Sequence, residues 1–453
     1  MFDNTLVVAN FDEIFAPAIN PASGKVRRRK HASARGLWQK ALLWPDKAGY
    51  VLIAPDVPSN LEPIPRAWFG PAQLVVPERK GVSVCRDLLA DEGAWAKLTH
   101  VLKDCGRLRI LAQVYSPALE LLIDALIKCG VDVDTMSLPR VSGYTVAFWN
   151  TKLGGRDILQ GDPQVRAALP PAVVCNTLAE VVALVATEDN DRGLVVKANS
   201  SMGGEGAWVF PPHLPRGLEA FANTSTGYKG RHKRGYGKKG ITQISGPYLV
   251  EEMVGDVSRN CSPTADFWIS DEGHVDLLGI GEQLLYEGVA YHGCRYPIQA
   301  EQNRLGRCTE LGELICAHLY RRGYRGFVNV DYVLPPGDSV WVAEVNLRQS
   351  AEFDQFLVMH RLFGESWRKS MAFVCEEAVP LARVHATTQE LERSLAQGFR
   401  LGEGQRVLPL AIYGGERTAT ATLLTIAEDT NTAEALSALV CSNPGDQPSG
   451  SNL

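Results

Sequence analysis

Residues 326–350 read GFVNVDYVLPPGDSVWVAEVNLRQS. Two runs rich in β-branched and aromatic residues flank Pro-Pro-Gly-Asp, the pattern of a β-hairpin. Side chains alternate between faces along a strand, so Glu344, Asn346 and Arg348 share one face. Pairing Leu334 with Ser339 sets Asp331 opposite Val342 and on that same face. The hairpin then presents two carboxylates, an amide oxygen and a guanidinium together. Hard oxygen donors suit magnesium, which binds through one or two carboxylates and completes its shell with substrate phosphates. Arg348 beside them could steady a transferring phosphoryl group or a developing oxyanion. Taken alone, the hairpin also fits a solvated polar strand face with surface ion pairs.

Residues 194–210, LVVKANSSMGGEGAWVF, add a second signal. A strand delivers Lys197 to a small-residue loop, Asn199 to Gly206, which holds Ser200, Ser201, Met202, Gly203 and Gly204. Serine and glycine let backbone N–H groups approach phosphate closely, and the lysine adds charge. The lysine precedes the glycines and no helix clearly follows, so this is not a Walker-type loop. Residues 247–254, PYLVEEMV, carry Glu251, Glu252, Met253 and Val254 on a strand whose main-chain groups can meet the edge of an adenine ring. An ordinary amphipathic strand is the competing reading.

These groups need elements to position them. Apolar runs at 5–10, 50–54, 73–77 and 108–116 read as strands, with helical spacing at 95–103 and 117–129 between and after them. Alternating strands and helices predict an open α/β domain with a parallel sheet over about 1–145. Beyond it, strands follow one another through loops, the mark of antiparallel α+β architecture over 146–390. Residues 223–246 form a basic, Gly-rich stretch with Lys229, Arg231, Lys233, Arg234, Lys238 and Lys239 and no acid. It reads as a substrate-receiving loop or a solvated one. A helix is expected from about Thr309 to Arg322, a further element over 391–441, and a disordered tail over 442–453.

Composition sets the limits. The chain has 453 residues, 45% hydrophobic and 21% charged, enough for several cores. A net charge of -5 gives no general attraction to nucleic acid or anionic membrane. The ten cysteines form no C-x-x-C pair and the nine histidines show no zinc spacing, so reduced thiols are expected. No apolar run approaches the roughly 20 residues of a membrane span, and the N-terminal stretch has acids where a signal peptide has bases. A cytoplasmic protein with no membrane and no nucleic-acid partner is the expectation. The first strand also lacks the G-x-G-x-x-G dinucleotide fingerprint.

In order along the chain, Lys152 in NTKLGG, Lys197 in VVKANSSMGGEG, Glu251 in VEEMV, Asp331 in NVDYV, and Glu344, Asn346 and Arg348 in EVNLR resemble the ATP-grasp superfamily. The resemblance implies an ATP-grasp fold: an N-terminal α/β pre-ATP-grasp domain, a lid over about 185–250 and a C-terminal catalytic unit. It implies ATP and Mg2+ as cofactors, with Lys152, Lys197 and the glycine loop on the phosphates and the Glu251–Val254 segment at the adenine. Asp331, Glu344 and Asn346 would bind magnesium, and Arg348 the intermediate. Asp256 is the candidate for the ribose contact and Arg295 for a further γ-phosphate contact. Asn329 stands where many relatives have arginine. More narrowly, VVPERKG at 75–81, FWNTKLGGRDIL, the basic stretch and EVNLRQSAEF resemble the peptide-ligase branch met in actinobacterial pheganomycin biosynthesis. That implies an antibiotic-pathway ligase joining an amino-acid-derived carboxylate to a peptide amine through an acyl phosphate, and a homodimer. A nucleotide-binding regulatory module of the same fold is the alternative. A biotin-dependent carboxylase would need a carrier, and no A-M-K-M segment is present.

Overall fold

A computed structural model describes residues 4–14, 37–44, 49–53, 73–78, 81, 83–187, 193–202, 205–210, 212, 246–286, 290–381, 401, 404–415 and 418–442. The basic stretch at 223–245, Gly203, Gly204 and the tail after 442 lie outside the described residues. Among the described residues three sheets organise the fold, as the mixed α/β reading expects.

The first sheet is parallel, in the order β3-β2-β1-β4, with β1 (Thr5–Val8), β2 (Tyr50–Leu52), β3 (Gln73–Val75) and β4 (Arg109–Ala112). β1 is apolar at every position but the buried Thr5 because both of its faces are covered. Leu6 and Val8 face helices, among them α1 (Pro117–Lys128), whose Leu119, Leu122, Ile123 and Leu126 are buried at three- and four-residue spacing. Ser116 caps α1 by accepting from the Leu119 N–H, and Pro117 occupies the first turn, where its missing N–H costs nothing.

Next comes α2 (Lys152–Gln160). It leads into an antiparallel sheet, β5-β8-β6-β7, made of β5 (Ala172–Cys175), β6 (Leu194–Met202), β7 (Glu205–Phe210) and β8 (Tyr248–Glu252). α3 (Leu178–Thr187) closes one face of it through Val181. The expected loop from Asn199 to Gly206 is shorter than the sequence suggests. β6 runs on to Met202, which pairs with Glu205 of β7, so only Gly203 and Gly204 connect the strands.

The third sheet has eight strands in the order β13-β12-β9-β10-β11-β14-β16-β15. They are β9 (Pro263–Ile269), β10 (Val275–Tyr286), β11 (Ala290–Tyr296), β12 (Gly326–Val333), β13 (Trp341–Asn346), β14 (Ala372–Pro380), β15 (Arg406–Gly415) and β16 (Thr418–Ala427). α4 (Gln302–Arg321) covers the face that carries Ala265, Phe267, Val328, Val330 and Tyr332. It starts about two turns before the expected Thr309, because its first turns are polar and show no apolar period. α5 (Phe353–Phe363) lies on the opposite face, where Phe356 packs over Gly279; a Cβ there would meet its ring at 2.4 Å. α6 (Thr430–Ser442) packs on β14 and β16 through Ala433, Leu436 and Val440.

One apolar core joins the chain's two ends. Val7, Phe11, Trp38 and Trp44 pack with Phe356, Trp367, Phe373, Leu408 and Ile426. A 3-10 turn, Leu37–Leu43, fixes this junction: Gln39 Nε2 donates to the Ile412 carbonyl at 2.6 Å and Gln39 Oε1 accepts from its N–H at 3.3 Å. Within it Lys40, 2% exposed, lies 2.7 Å from Glu377 and 3.7 Å from Asp354. Removing one partner of a buried ion pair strands the others in a poor solvent. Lys40→Ala is therefore expected to destabilise the protein by about 3–5 kcal/mol, read from denaturant unfolding. A loss below about 1 kcal/mol would show that water solvates this pair.

Candidate active site

Strand registry assembles the site. β12 lies between β13 and β9, and Asp331 pairs with Glu344 on one side and Thr264 on the other. Two residues earlier, Asn329 pairs with Asn346 and Asp266. Paired residues share a face, so Asp331, Glu344, Asn346, Asn329, Thr264 and Asp266 form one polar surface. This corrects the expected pairing of Asp331 with Val342. A bulge at Ala343 inserts one residue, and Leu334, 1% exposed, bridges to Cys261 rather than to Ser339.

The surface is wired by hydrogen bonds. Thr264 Oγ1 and Gln283 Nε2 donate to Asp331 Oδ1 at 2.8 and 2.9 Å. Asn346 Nδ2 donates to Asn329 Oδ1 at 3.1 Å, and Asn329 Nδ2 donates to Thr264 Oγ1 at 2.7 Å. With Asn346 Nδ2 turned toward Asn329, its Oδ1 is the atom left for a cation. Burial, then the facing Glu344, pushes the Asp331 carboxyl up to about 7. Burial alone would raise Glu344 as well, but Lys152, Lys197 and Arg348 outweigh it and hold that carboxyl below its ordinary value. Two opposed carboxylates and an amide oxygen form the hard oxygen donor set that a magnesium ion fits. Among the described residues no group of three or more His, Cys, Asp or Glu converges as a metal cage. Two carboxylates and one amide oxygen leave the rest of a magnesium ion's shell to substrate phosphates and water.

The same carboxyls set a pH dependence. Asp331 goes up to about 7, Asp354 up to about 6, and Asp266 and Glu352 also rise, each through burial first. A carboxyl whose folded value exceeds its unfolded one binds its proton more tightly in the native state. Its stabilisation is lost as pH rises through the folded value. The metal-free protein should therefore melt at a lower temperature at pH 8 than at pH 6, as differential scanning fluorimetry would show. A flat or rising melting temperature over that range would contradict the raised carboxyls.

Cations approach from the other side. Lys152 opens α2, where the Thr151 hydroxyl caps the helix by accepting from the Gly154 N–H at 3.1 Å. Its Nζ lies 2.5 Å from Glu344 Oε1. Gly155 faces the hairpin, where a Cβ would sit in ordinary contact with Val345 at 3.4 Å. Lys197 on β6 lies 2.5 Å from Glu251 Oε2 and donates to the Ala343 carbonyl at 3.3 Å. Burial lowers its affinity for a proton, but Glu251 outweighs that and raises it. Arg156 joins them, with Nη1 3.0 Å from Glu251 Oε1 and Nη2 donating to the Pro170 carbonyl at 2.5 Å. Asn199 Oδ1 accepts from the Leu153 N–H at 2.9 Å, tying β6 to the start of α2. Thr151, Lys152, Arg156, Lys197, Glu251 and Glu344 line one cleft between the smaller antiparallel sheet and the hairpin.

The remaining expected residues fall as follows. Arg348 is half-buried, and Val114 after β4 bridges to it. Its charge lowers both Asp331 and Glu344. Ser200, Ser201 and Met202 extend β6. The Glu252 N–H donates to Pro171 and the Met253 N–H to Gly193, both at 2.9 Å, while the Val254 carbonyl accepts from Asn260 at 2.7 Å. Asp256 is exposed and accepts from the Ser258 N–H and hydroxyl, which hold its carboxyl below the usual range. Arg295 is not brought to the hairpin's polar face. It pairs with Glu282, whose neighbour Pro263 alternates with Thr264, so it points to the far side of the sheet. There Glu282 grips it through both oxygens, at 3.0 and 2.9 Å, and Glu434 of α6 adds a contact at 2.6 Å.

Sequence reasoning missed Arg156, Asn329, Thr264, Asp266 and Gln283. Arg156 was findable, since residues four apart on a helix share a face and Lys152 begins this one. Asn329 was findable by alternation from Asp331. The other three come from strands 48 to 67 residues away from Asp331 or Asn329, and no local pattern pairs those.

No protein-family model matches the chain, and no curated protein matches its sequence. Solved structures do match over nearly its whole length. An N5-carboxyaminoimidazole ribonucleotide synthetase in complex with ADP is 11% identical, with a TM-score of 0.56 and 99% of each chain covered. The L-amino acid ligase of Bacillus licheniformis is 15% identical, with a TM-score of 0.54 and 98% of each chain covered. The biotin carboxylase of Campylobacter jejuni is 12% identical, with a TM-score of 0.53, over 95% of this chain and 89% of that one. Among the described residues no helix is long and apolar enough to cross a membrane.

Proposed function

With the ATP-grasp fold as premise, we propose that this protein is an ATP- and magnesium-dependent carboxylate–amine ligase, joining an amino-acid-derived carboxylate to the amine of a peptide. One observation carries the reading. Asp331 and Glu344 face each other on a rigid hairpin, and Lys152 reaches Glu344 from the adjoining helix while Lys197 lines the same cleft. The likeness to an L-amino acid ligase supports the amide-forming branch.

Asp331, Glu344 and Asn346 would hold the magnesium, which when bound offsets charge on the transferring phosphates. Lys152, Lys197 and Arg156 neutralise the phosphate oxygens that enter the cleft. The donor carboxylate attacks the γ-phosphorus; the bond to ADP breaks and an acyl phosphate forms. An amine then attacks the acyl carbon and phosphate leaves. Arg348, beside both carboxylates, is placed to face the oxyanion of that second step. The protein contributes position and charge rather than covalent chemistry. The small sheet carrying Lys197 and Glu251 covers the cleft and keeps water from the intermediate.

The test is release of ADP and phosphate from ATP and Mg2+ with a panel of amino acids and short peptides, read with mass spectrometry. Release that needs both an acid and an amine, with a new amide mass, supports the reading. AMP as product would overturn the acyl-phosphate route.

A further inference from the structure

Two carboxylates hold the three cations that line the cleft. Lys152 Nζ lies 2.5 Å from Glu344 Oε1, Lys197 Nζ 2.5 Å from Glu251 Oε2, and Arg156 Nη1 3.0 Å from Glu251 Oε1. All five side chains face the same cleft. The carboxylates differ in what else surrounds them. Glu251 gives one oxygen to each of its cations, and its strand partners on either side, Ala172 and Val195, are apolar. Glu344 holds Lys152 and also stands opposite Asp331, with Asn346 next along the same strand face. It belongs to a lysine and to a metal site at once.

Those two ties conflict. A magnesium ion binds a carboxylate oxygen at about 2.0–2.1 Å, and a second cation on the same carboxylate repels it. Lys152 is the partner that can leave, because its ammonium rides on a flexible four-carbon stem at the first turn of α2. We propose that Glu344 is an exchange latch: it keeps Lys152 from the nucleotide phosphates until the metal takes its carboxylate, and the released ammonium then turns to the phosphates. The proposal rests on the ligase reading and adds regulation to the same site, since metal and nucleotide then bind cooperatively through one side chain. No covalent bond changes. Without the metal, a phosphate chain that drew Lys152 away would strand the Glu344 carboxylate, 25% exposed, beside Asp331. With the metal on Glu344 the same movement strands no charge. Lys197 and Arg156 take no part in the exchange, because Glu251 does not face the metal site.

The experiment measures ADP binding by isothermal titration calorimetry, in EDTA and in excess Mg2+. Glu344→Gln keeps the shape and releases Lys152, so in EDTA it should bind ADP about 10-fold more tightly than wild type. Asp331→Asn takes charge from the same site but leaves Lys152 on Glu344, so in EDTA it should gain little. Adding Lys152→Met to Glu344→Gln should abolish the gain, and this pair leaves no stranded charge to unfold the protein. Mg2+ should tighten ADP binding by about 10-fold or more in wild type and by far less in Glu344→Gln. Equal affinities of Glu344→Gln and Asp331→Asn in EDTA would mean plain removal of charge and would overturn the latch. A gain that survives Lys152→Met overturns it too. If wild type binds no ADP even with Mg2+, the nucleotide reading itself fails and takes the latch with it.

Discussion

Glu344→Gln is expected to lower donor-dependent ADP release by about 10³-fold, roughly 4 kcal/mol of transition-state stabilisation, while the protein stays folded. Glu344 has two duties that glutamine cannot share. Its carboxylate faces Asp331 as half of the charged metal site, and it holds the Lys152 ammonium at 2.5 Å. The amide keeps the shape but loses the charge that both duties need. Because the neighbouring strands and Asn346 are untouched, the melting temperature without ligand should change little. Near wild-type turnover would sink the metal assignment. Loss of fold together with activity would mean that the Lys152 pair is chiefly structural.

Asp331→Asn should separate activity from stability in the opposite sense. Burial and the facing Glu344 push Asp331 up to about 7, so at pH 8 its ionised form strains the metal-free protein. The neutral amide removes that repulsion and can still accept from Thr264 and Gln283. A gain of about 1–2 kcal/mol is expected at pH 8 once partial exposure is discounted, shrinking as pH falls and gone below about pH 4, where the acid is protonated in the folded and unfolded chain alike. Turnover should fall at least as far as in Glu344→Gln. If Asp331→Asn is instead less stable at pH 8, its hydrogen bonds matter more than its charge, and the repulsion is not what sets the pH profile.

The fold was largely legible because its first 130 residues obey simple periods. TLVV, YVL and RILA are short apolar runs, and the helix after Ser116 carries its own cap, proline and apolar stripe. The site was legible where one strand carries it, since alternation alone puts Glu344 and Asn346 together. It failed at registry. Nothing local announces the bulge at Ala343 or the bridge from Leu334 to Cys261, yet these decide that Asp331 meets Glu344 rather than Val342. Arg295 failed for a related reason. Its place on one face or the other follows from pairing with Glu282, which is a property of the sheet and not of YHGCRYP.

The core shared by the two ends of the chain sets a timetable for its synthesis. Trp38 and Trp44 find their partners in Phe373, Leu408 and Ile426, and the Gln39–Ile412 bond spans 373 residues. At about 5–20 residues per second a ribosome needs roughly 20–75 s to make that stretch. Through that interval the apolar side of the 3-10 turn has only the N-terminal residues of its core, such as Phe11 and Val51, to pack against. The first sheet can form early on its helical side, yet its other side waits for the last strands to emerge. A nascent chain with two half-covered tryptophans for so long is a natural client for holding chaperones, and a ribosome stalled before β15 would leave a sticky rather than a partly working protein.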